Sequence, residues 1–149
     1  MKKKIIFLPP TYFYAVIVFI VGVYFLLPQL NYIAWPYNLL GLVILALGFY
    51  LVIRSWLNFK EHGTPEDFSE SKALVTDGLY KYSRNPMYLG MVLILLGMAI
   101  SLKNMLGFIA PVGFFLIIHF MFIPYEEGKN EKTFGPVFLD YKKRVRKWI

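Results

Sequence analysis

The chain has 149 residues, of which 58% are apolar, 19% aromatic and only 17% charged, with a formal net charge of +7. That balance excludes an ordinary soluble domain, in which about a quarter of the residues are charged. With no cysteine there is no disulfide framework, no thiolate nucleophile and no cysteine metal site.

In chain order, apolar runs predict membrane spans at about 12–27, 38–53, 87–101 and 105–123. Lys2, Lys3 and Lys4 precede the first run, which is too long for a signal peptide and has no small-x-small cleavage site after it. Several runs hold about 16 residues, roughly 24 Å of helix against a ~30 Å hydrocarbon core. Flanking aromatics, snorkelling or local thinning make up the difference. Between the spans lie a polar loop, 54–86, and a polar tail, 124–149. Of the 16 Lys and Arg residues, three precede the first span, five lie in the loop and seven in the tail, leaving only Lys103 elsewhere. The segment "PQLNYIAWPYN" between the first two spans has no charge and offers Tyr32, Trp35 and Tyr37 to an interfacial belt. The positive-inside rule then puts both termini and the 54–86 loop in the cytoplasm. Because the basic residues flank spans and form no domain of their own, they read as topology signals and lipid contacts, and not as a nucleic-acid surface. The expected fold is one all-α integral membrane domain of about four transmembrane helices with an amphipathic C-terminal helix.

Local signals refine this outline. Asn85 and Pro86 make a helix start, Asn as side-chain N-cap and Pro at the first helical position. Asn104 is a similar N-cap after the turn "SLKN". Pro111 is expected to bend the fourth span, and Pro124 to interrupt its helix before "YEEGKNEKTFG". Gly135 and Pro136 start the terminal helix. There Phe138, Tyr141, Val145 and Trp148 share a face, which predicts a helix lying on the cytoplasmic membrane surface. Gly41, Gly48, Gly90 and Gly97 read as points of close helix packing.

Three features carry potential chemistry. Glu126 and Glu127 are either two solvated charges or a compensated pair, since acids at a helix C-terminus oppose the macrodipole. Arg84 or a cationic ligand would compensate them. His119 lies inside the fourth span, where a polar side chain is a functional candidate or a hydrogen-bonded core residue. Arg84 alone is an interfacial anchor; beside Tyr80, Tyr88 and the glutamates it becomes more specific. No metal-ligand spacing accompanies His119 or His62, and no GxGxxG is present.

The stretch "LVTDGLYKYSRNPMYLG" resembles the signature of the isoprenylcysteine carboxyl methyltransferase and phospholipid methyltransferase superfamily. That signature is a G-x-Y followed by R-[HN]-P-x-Y at the start of a membrane helix. The second block, "HFMFIPYEEGKNEKTFGPVFLDYKKRVRKWI", resembles the family's His, Glu-Glu, Phe-Gly and Tyr series with a basic tail. The resemblance implies a methyltransferase that uses S-adenosylmethionine and acts on a lipid-like acceptor at the membrane edge. It implies that Tyr80, Arg84, Asn85, Pro86, Tyr88, Glu126, Glu127 and Tyr141 hold the cofactor, and that Arg84, Glu127 and His119 serve the reaction. Asn85 stands where many relatives have histidine. A carboxylate acceptor is favoured over an amine, because an ionised oxygen needs no base. Phospholipid or amine N-methylation, an NADPH-dependent reductase of the sterol-reductase type and a non-enzymatic membrane module are the alternatives.

Overall fold

A computed structural model of the protein describes residues 9–63 and 73–149. The N-terminal lysine cluster and the middle of the expected 54–86 loop lie outside these residues. Among the described residues there are helices and turns but no strand. The helices are α1 (Pro9–Leu26), α2 (Leu40–Glu61), α3 (Pro86–Ser101), α4 (Ile109–Ile117), α5 (Ile123–Phe134) and α6 (Pro136–Arg144). A π-helical segment, Ile118–Phe122, joins α4 to α5, so that Leu106–Phe134 runs as one helical rod. Pro9–Leu26, Tyr37–Glu61 and Leu106–Phe134 are long and apolar enough to cross a membrane, and α3 is a shorter apolar helix. The protein is an all-α integral membrane protein.

Burial explains how a short helix serves here. α3 sits at the centre, with α2 along one side and α1 and α4 on the other. Leu95 and Ala99 are fully enclosed. The outer helices expose Val18 and Phe25 of α1, Val43 and Tyr50 of α2, and Val112 of α4. Such extensive apolar exposure is stable only when the solvent is itself apolar. The core joins Ile20 of α1, Tyr88, Met91 and Leu95 of α3, and Phe114, Ile118 and Phe122 of the long rod. Tyr12 meets Phe122 edge-on at 5.6 Å, and Phe13 lies 5.8 Å from Phe114.

The glycines of α2 and α3 do pack the two helices tightly. A Cβ on Gly48 would lie 2.8 Å from the Gly90 carbonyl, and one on Gly97 would lie 2.7 Å from that of Gly41. Backbones brought this close gain dispersion contacts that a larger residue would forbid.

At the far end from the polar loops, Asn104 is fully buried. Its Oδ1 accepts from the N–H groups of Leu106 (3.0 Å) and Gly107 (3.3 Å), and its Nδ2 donates to Asn31 Oδ1 at 2.8 Å. The expected N-cap is therefore also a cross-link between the turn after α1 and the turn after α3. Asn104→Leu should destabilise the protein by about 1–3 kcal/mol, the cost of leaving buried polar partners unpaired. Denaturant titration in detergent measures this, and an unchanged midpoint would remove Asn104 from the stabilising contacts.

Three local expectations are corrected. Pro124 does not end its helix: α5 continues ten residues further, to Phe134. A proline lacks the N–H for an i→i−4 bond, and the wide π segment before it removes the need for one. The backbone is α-helical through Pro111, and the rod departs from α geometry at its 3-10 start, Leu106–Phe108, and in the π segment. Asn85 occupies the N-cap position of α3 but makes no side-chain cap; its amide is used elsewhere. The terminal helix stops at Arg144, and Val145 is extended, so Trp148 does not share a helical face with Tyr141. Phe138 and Tyr141 are buried inside the protein, and that face of α6 is not free to rest on lipid.

Candidate functional site

The polar end of α3 is assembled from four segments. The turn at Gly78–Lys81 is fixed to α2 by Asn58, whose Nδ2 donates to the Asp77 carbonyl at 3.2 Å. Gly78 has φ +53° and its missing side chain leaves room for the Asn58 amide; an L-residue here would be strained and would collide. The turn seats the Tyr80 ring 5.2 Å from Phe59 of α2, beside Ser55. Tyr141 of α6 reaches back and donates its hydroxyl to the Tyr80 carbonyl at 2.8 Å. Burial raises the Tyr80 phenol well above its ordinary value, and burial, opposed by Arg84, pushes Tyr141 up to about 12. Both keep their hydroxyl protons throughout the physiological range.

Arg84 and Glu127 form the centre of this cluster. Arg84 Nη1 lies 3.1 Å from Glu127 Oε1, with side chains only 9% and 13% exposed, and Lys142 Nζ lies 3.0 Å from Glu127 Oε2. Tyr88, on the first turn of α3, donates to Glu126 Oε1 at 2.5 Å. The two glutamates are near the start of α5 and not at a helix C-terminus, so the macrodipole cost expected from the sequence does not arise. Their compensation comes from Arg84, Lys142 and Tyr88. One imperfection is informative. Arg84 Nε and Nη1 and Glu127 Oε1 are buried without a hydrogen-bond partner. The ion pair is close but poorly aligned for a hydrogen bond, and buried donors and acceptors are seldom left so. A polar ligand with both charges would satisfy them.

The C-terminal tail closes over this end. The Arg84 amide donates to the Arg146 carbonyl at 3.0 Å, and Asn85 Nδ2 donates to the Lys147 carbonyl at 2.9 Å. Trp148 Nε1 donates to His119 Nδ1 at 2.9 Å, and its ring packs tilted against Phe115 and stacks on His119. Extended backbone beyond Arg144 is required for three successive residues to reach these partners. Tyr80, Arg84, Asn85, Pro86, Tyr88, Glu126, Glu127 and Tyr141 thus gather at one mouth of the bundle. His119 lies deeper, tied to Trp148, and no hydrogen bond or ion pair joins it to Arg84 or the glutamates. Sequence reasoning missed Lys142 and Trp148. Helical spacing puts Trp148 on a membrane face, and no local signal singles out Lys142 among the basic residues of the tail.

An all-α membrane protein with a buried arginine, two carboxylates and tyrosines at one mouth defines the class. The family model described as phospholipid methyltransferase matches residues 37–137, more than half of the chain, and the chain belongs to that family. Among curated relatives, protein-S-isoprenylcysteine O-methyltransferase of Schizosaccharomyces pombe is 31% identical over 123 residues, covering 78% of this chain and 50% of that protein. Its namesake in Xenopus laevis is 32% identical over 125 residues, covering 79% of this chain and 42% of that protein. An uncharacterised protein of Haemophilus influenzae is 38% identical over 63 residues, covering 42% of this chain and all of that protein. The chain spans about half the length of the two named enzymes. Methyltransferase is the enzyme class that the family and the two named relatives indicate.

Proposed function

We propose that this protein is an S-adenosylmethionine-dependent methyltransferase that acts at the membrane boundary on a lipid-like acceptor, with a carboxylate oxygen favoured over an amine. The reading is carried by the buried Arg84–Glu127 pair, whose facing polar atoms lack hydrogen-bond partners. When bound, S-adenosylmethionine supplies a methyl group on a sulfonium for in-line displacement. Its carboxylate suits Arg84, and its ammonium and hydroxyls suit Glu126 and Glu127, by charge-assisted hydrogen bonding. Tyr80, Tyr88 and Tyr141 offer apolar ring faces with hydroxyls that fix their orientation. Asn85 and Pro86 form the wall that starts α3, with the Asn85 amide engaged by the tail. The chain's contribution is alignment and exclusion of water more than proton transfer.

The preference for oxygen rests on the lack of a free base. Glu127 is paired with two cations, Glu126 accepts from Tyr88, and His119 Nδ1 accepts from Trp148. An amine acceptor would need one of these to take its proton, whereas a carboxylate is already ionised. In this reading His119 positions the tail and is not a base. The phospholipid methyltransferase description of the matching family favours the second reading, N-methylation of a phospholipid amine.

Membranes containing the protein, incubated with methyl-labelled cofactor and then treated with alkali, separate the two. Volatile methanol is expected, since methyl esters hydrolyse; alkali-stable label migrating with a phospholipid would establish the amine reading. No transfer of label to any acceptor would reject both.

The reading also puts both termini and the site in the cytoplasm, where the cofactor is available. The absence of cysteine makes single-site labelling clean. Gln29→Cys should react with an impermeant external reagent and Lys132→Cys should not. The reverse pattern would reject this orientation.

A further inference from the structure

A cavity of about 430 Å³ opens beside the cluster, lined by Thr76, Lys81, Tyr141, Arg144 and Val145. Its size is in the range of small-molecule sites, about 300–1,000 Å³. Two of its five lining residues are cations and none is a carboxylate. The neighbouring basic residues are committed elsewhere: Lys142 pairs with Glu127 and Lys143 with Asp140. Arg144 donates through Nε to the Asp140 carbonyl of its own helix at 3.3 Å. Among the described residues no carboxylate pairs with Lys81 or with Arg144.

Lys81 and Arg144 are both exposed and have no ion-pair partner among the described residues; facing one space they repel each other, and an anion between them reverses that sign. The polarity is opposite to that of the adjoining glutamates. S-adenosylmethionine, with a sulfonium, an ammonium and one carboxylate, has net positive charge and is disfavoured here. Lys81 and the Thr76 hydroxyl come from the loop and turn before α3 and Arg144 from the end of α6, a donor set suited to the several oxygens of a phosphate. The shared wall is Tyr141, whose hydroxyl is directed at Tyr80. The cavity also lies at the mouth of the apolar helices, the level at which lipid headgroups carry their phosphates.

We propose that this cavity is a second, anion-selective subsite that takes a phosphate group, supplied by a membrane lipid headgroup or by a free phosphate. It stands on charge and cavity geometry and does not require the methyl-transfer reading.

The test is calorimetric titration of the full chain in a neutral detergent with two probes, inorganic phosphate and short-chain phosphatidylglycerol. Saturable binding of at least one probe is expected, weakened about tenfold or more by Lys81→Gln and by Arg144→Gln, as loss of a charge-assisted contact implies. Lys143→Gln, which removes a charge from an exposed pair outside the cavity, should leave it unchanged. Binding of the lipid probe alone assigns the source to headgroups; binding of both assigns it to the phosphate itself. No saturable binding of either, or binding that is indifferent to both variants, overturns the subsite. The same variants titrated with S-adenosylmethionine keep the two assignments apart. Unchanged cofactor affinity supports a separate subsite, and an equal loss would merge the cavity with the cofactor site and overturn the proposal. A wild-type protein that binds no cofactor would sink the methyl-transfer reading, while the phosphate titration still decides this one.

Discussion

Arg84→Ala is expected to reduce S-adenosylmethionine affinity by roughly 30- to 4,000-fold, about 2–5 kcal/mol, because it removes one half of a buried charge pair and strands the other. Glu127→Gln should fall in the same range from the opposite side. Lys142→Gln provides the internal comparison. Its ammonium is as close to Glu127 as Arg84 is, 3.0 Å against 3.1 Å, but its side chain is 38% exposed where that of Arg84 is 9%. Exposed pairs are screened and typically contribute about 0–1 kcal/mol, so the Lys142 variant should lose less than about tenfold. Calorimetry on the three purified variants measures the order. Equal losses at Arg84 and Lys142 would show that burial does not set the strength of this site. Unchanged affinity at Arg84 and Glu127 would return both to a structural role.

The second large effect concerns the packing that holds the site's helices. Gly97→Ala should destabilise the protein by about 1–3 kcal/mol or more, the range for overpacking a tight interface. The new Cβ would stand 2.6 Å from the Leu45 amide nitrogen and 2.7 Å from the Gly41 carbonyl. These are backbone atoms that cannot turn aside, so α2 and α3 must separate. Gly113→Ala should act in the opposite direction. Nothing lies within 4 Å of a Cβ there, and alanine is favoured over glycine in a helix by roughly 0.5–1 kcal/mol. Unfolding midpoints in the same detergent should therefore move apart. Two variants shifting in the same direction would refute the argument from space.

Much of this protein was determined by its sequence alone, and for a physical reason. Apolar runs must be helical to satisfy their backbone in lipid. Thus hydropathy located α1, α2, α3 and the long rod, and the glycine positions located the α2–α3 contact. Arg84, Tyr88, Glu126 and Glu127 were legible because their types and spacing match a family signature. What the sequence could not settle were contacts between segments distant in the chain. Pro124 reads locally as a helix stop, yet the π segment before it absorbs the missing hydrogen bond and carries the glutamates onward to Arg84. Asn85 reads as a cap, but its amide is drawn away by the Lys147 carbonyl, 62 positions along the chain. Lys142 and Trp148 read as parts of an amphipathic surface helix. Only tertiary structure pairs Lys142 with Glu127 and draws the tail out of helical register toward His119. Local propensity is worth a few tenths of a kcal/mol per residue, whereas buried polar groups left unpaired cost about 1–3 kcal/mol each. Where the two conflicted at the mouth of this bundle, long-range pairing prevailed.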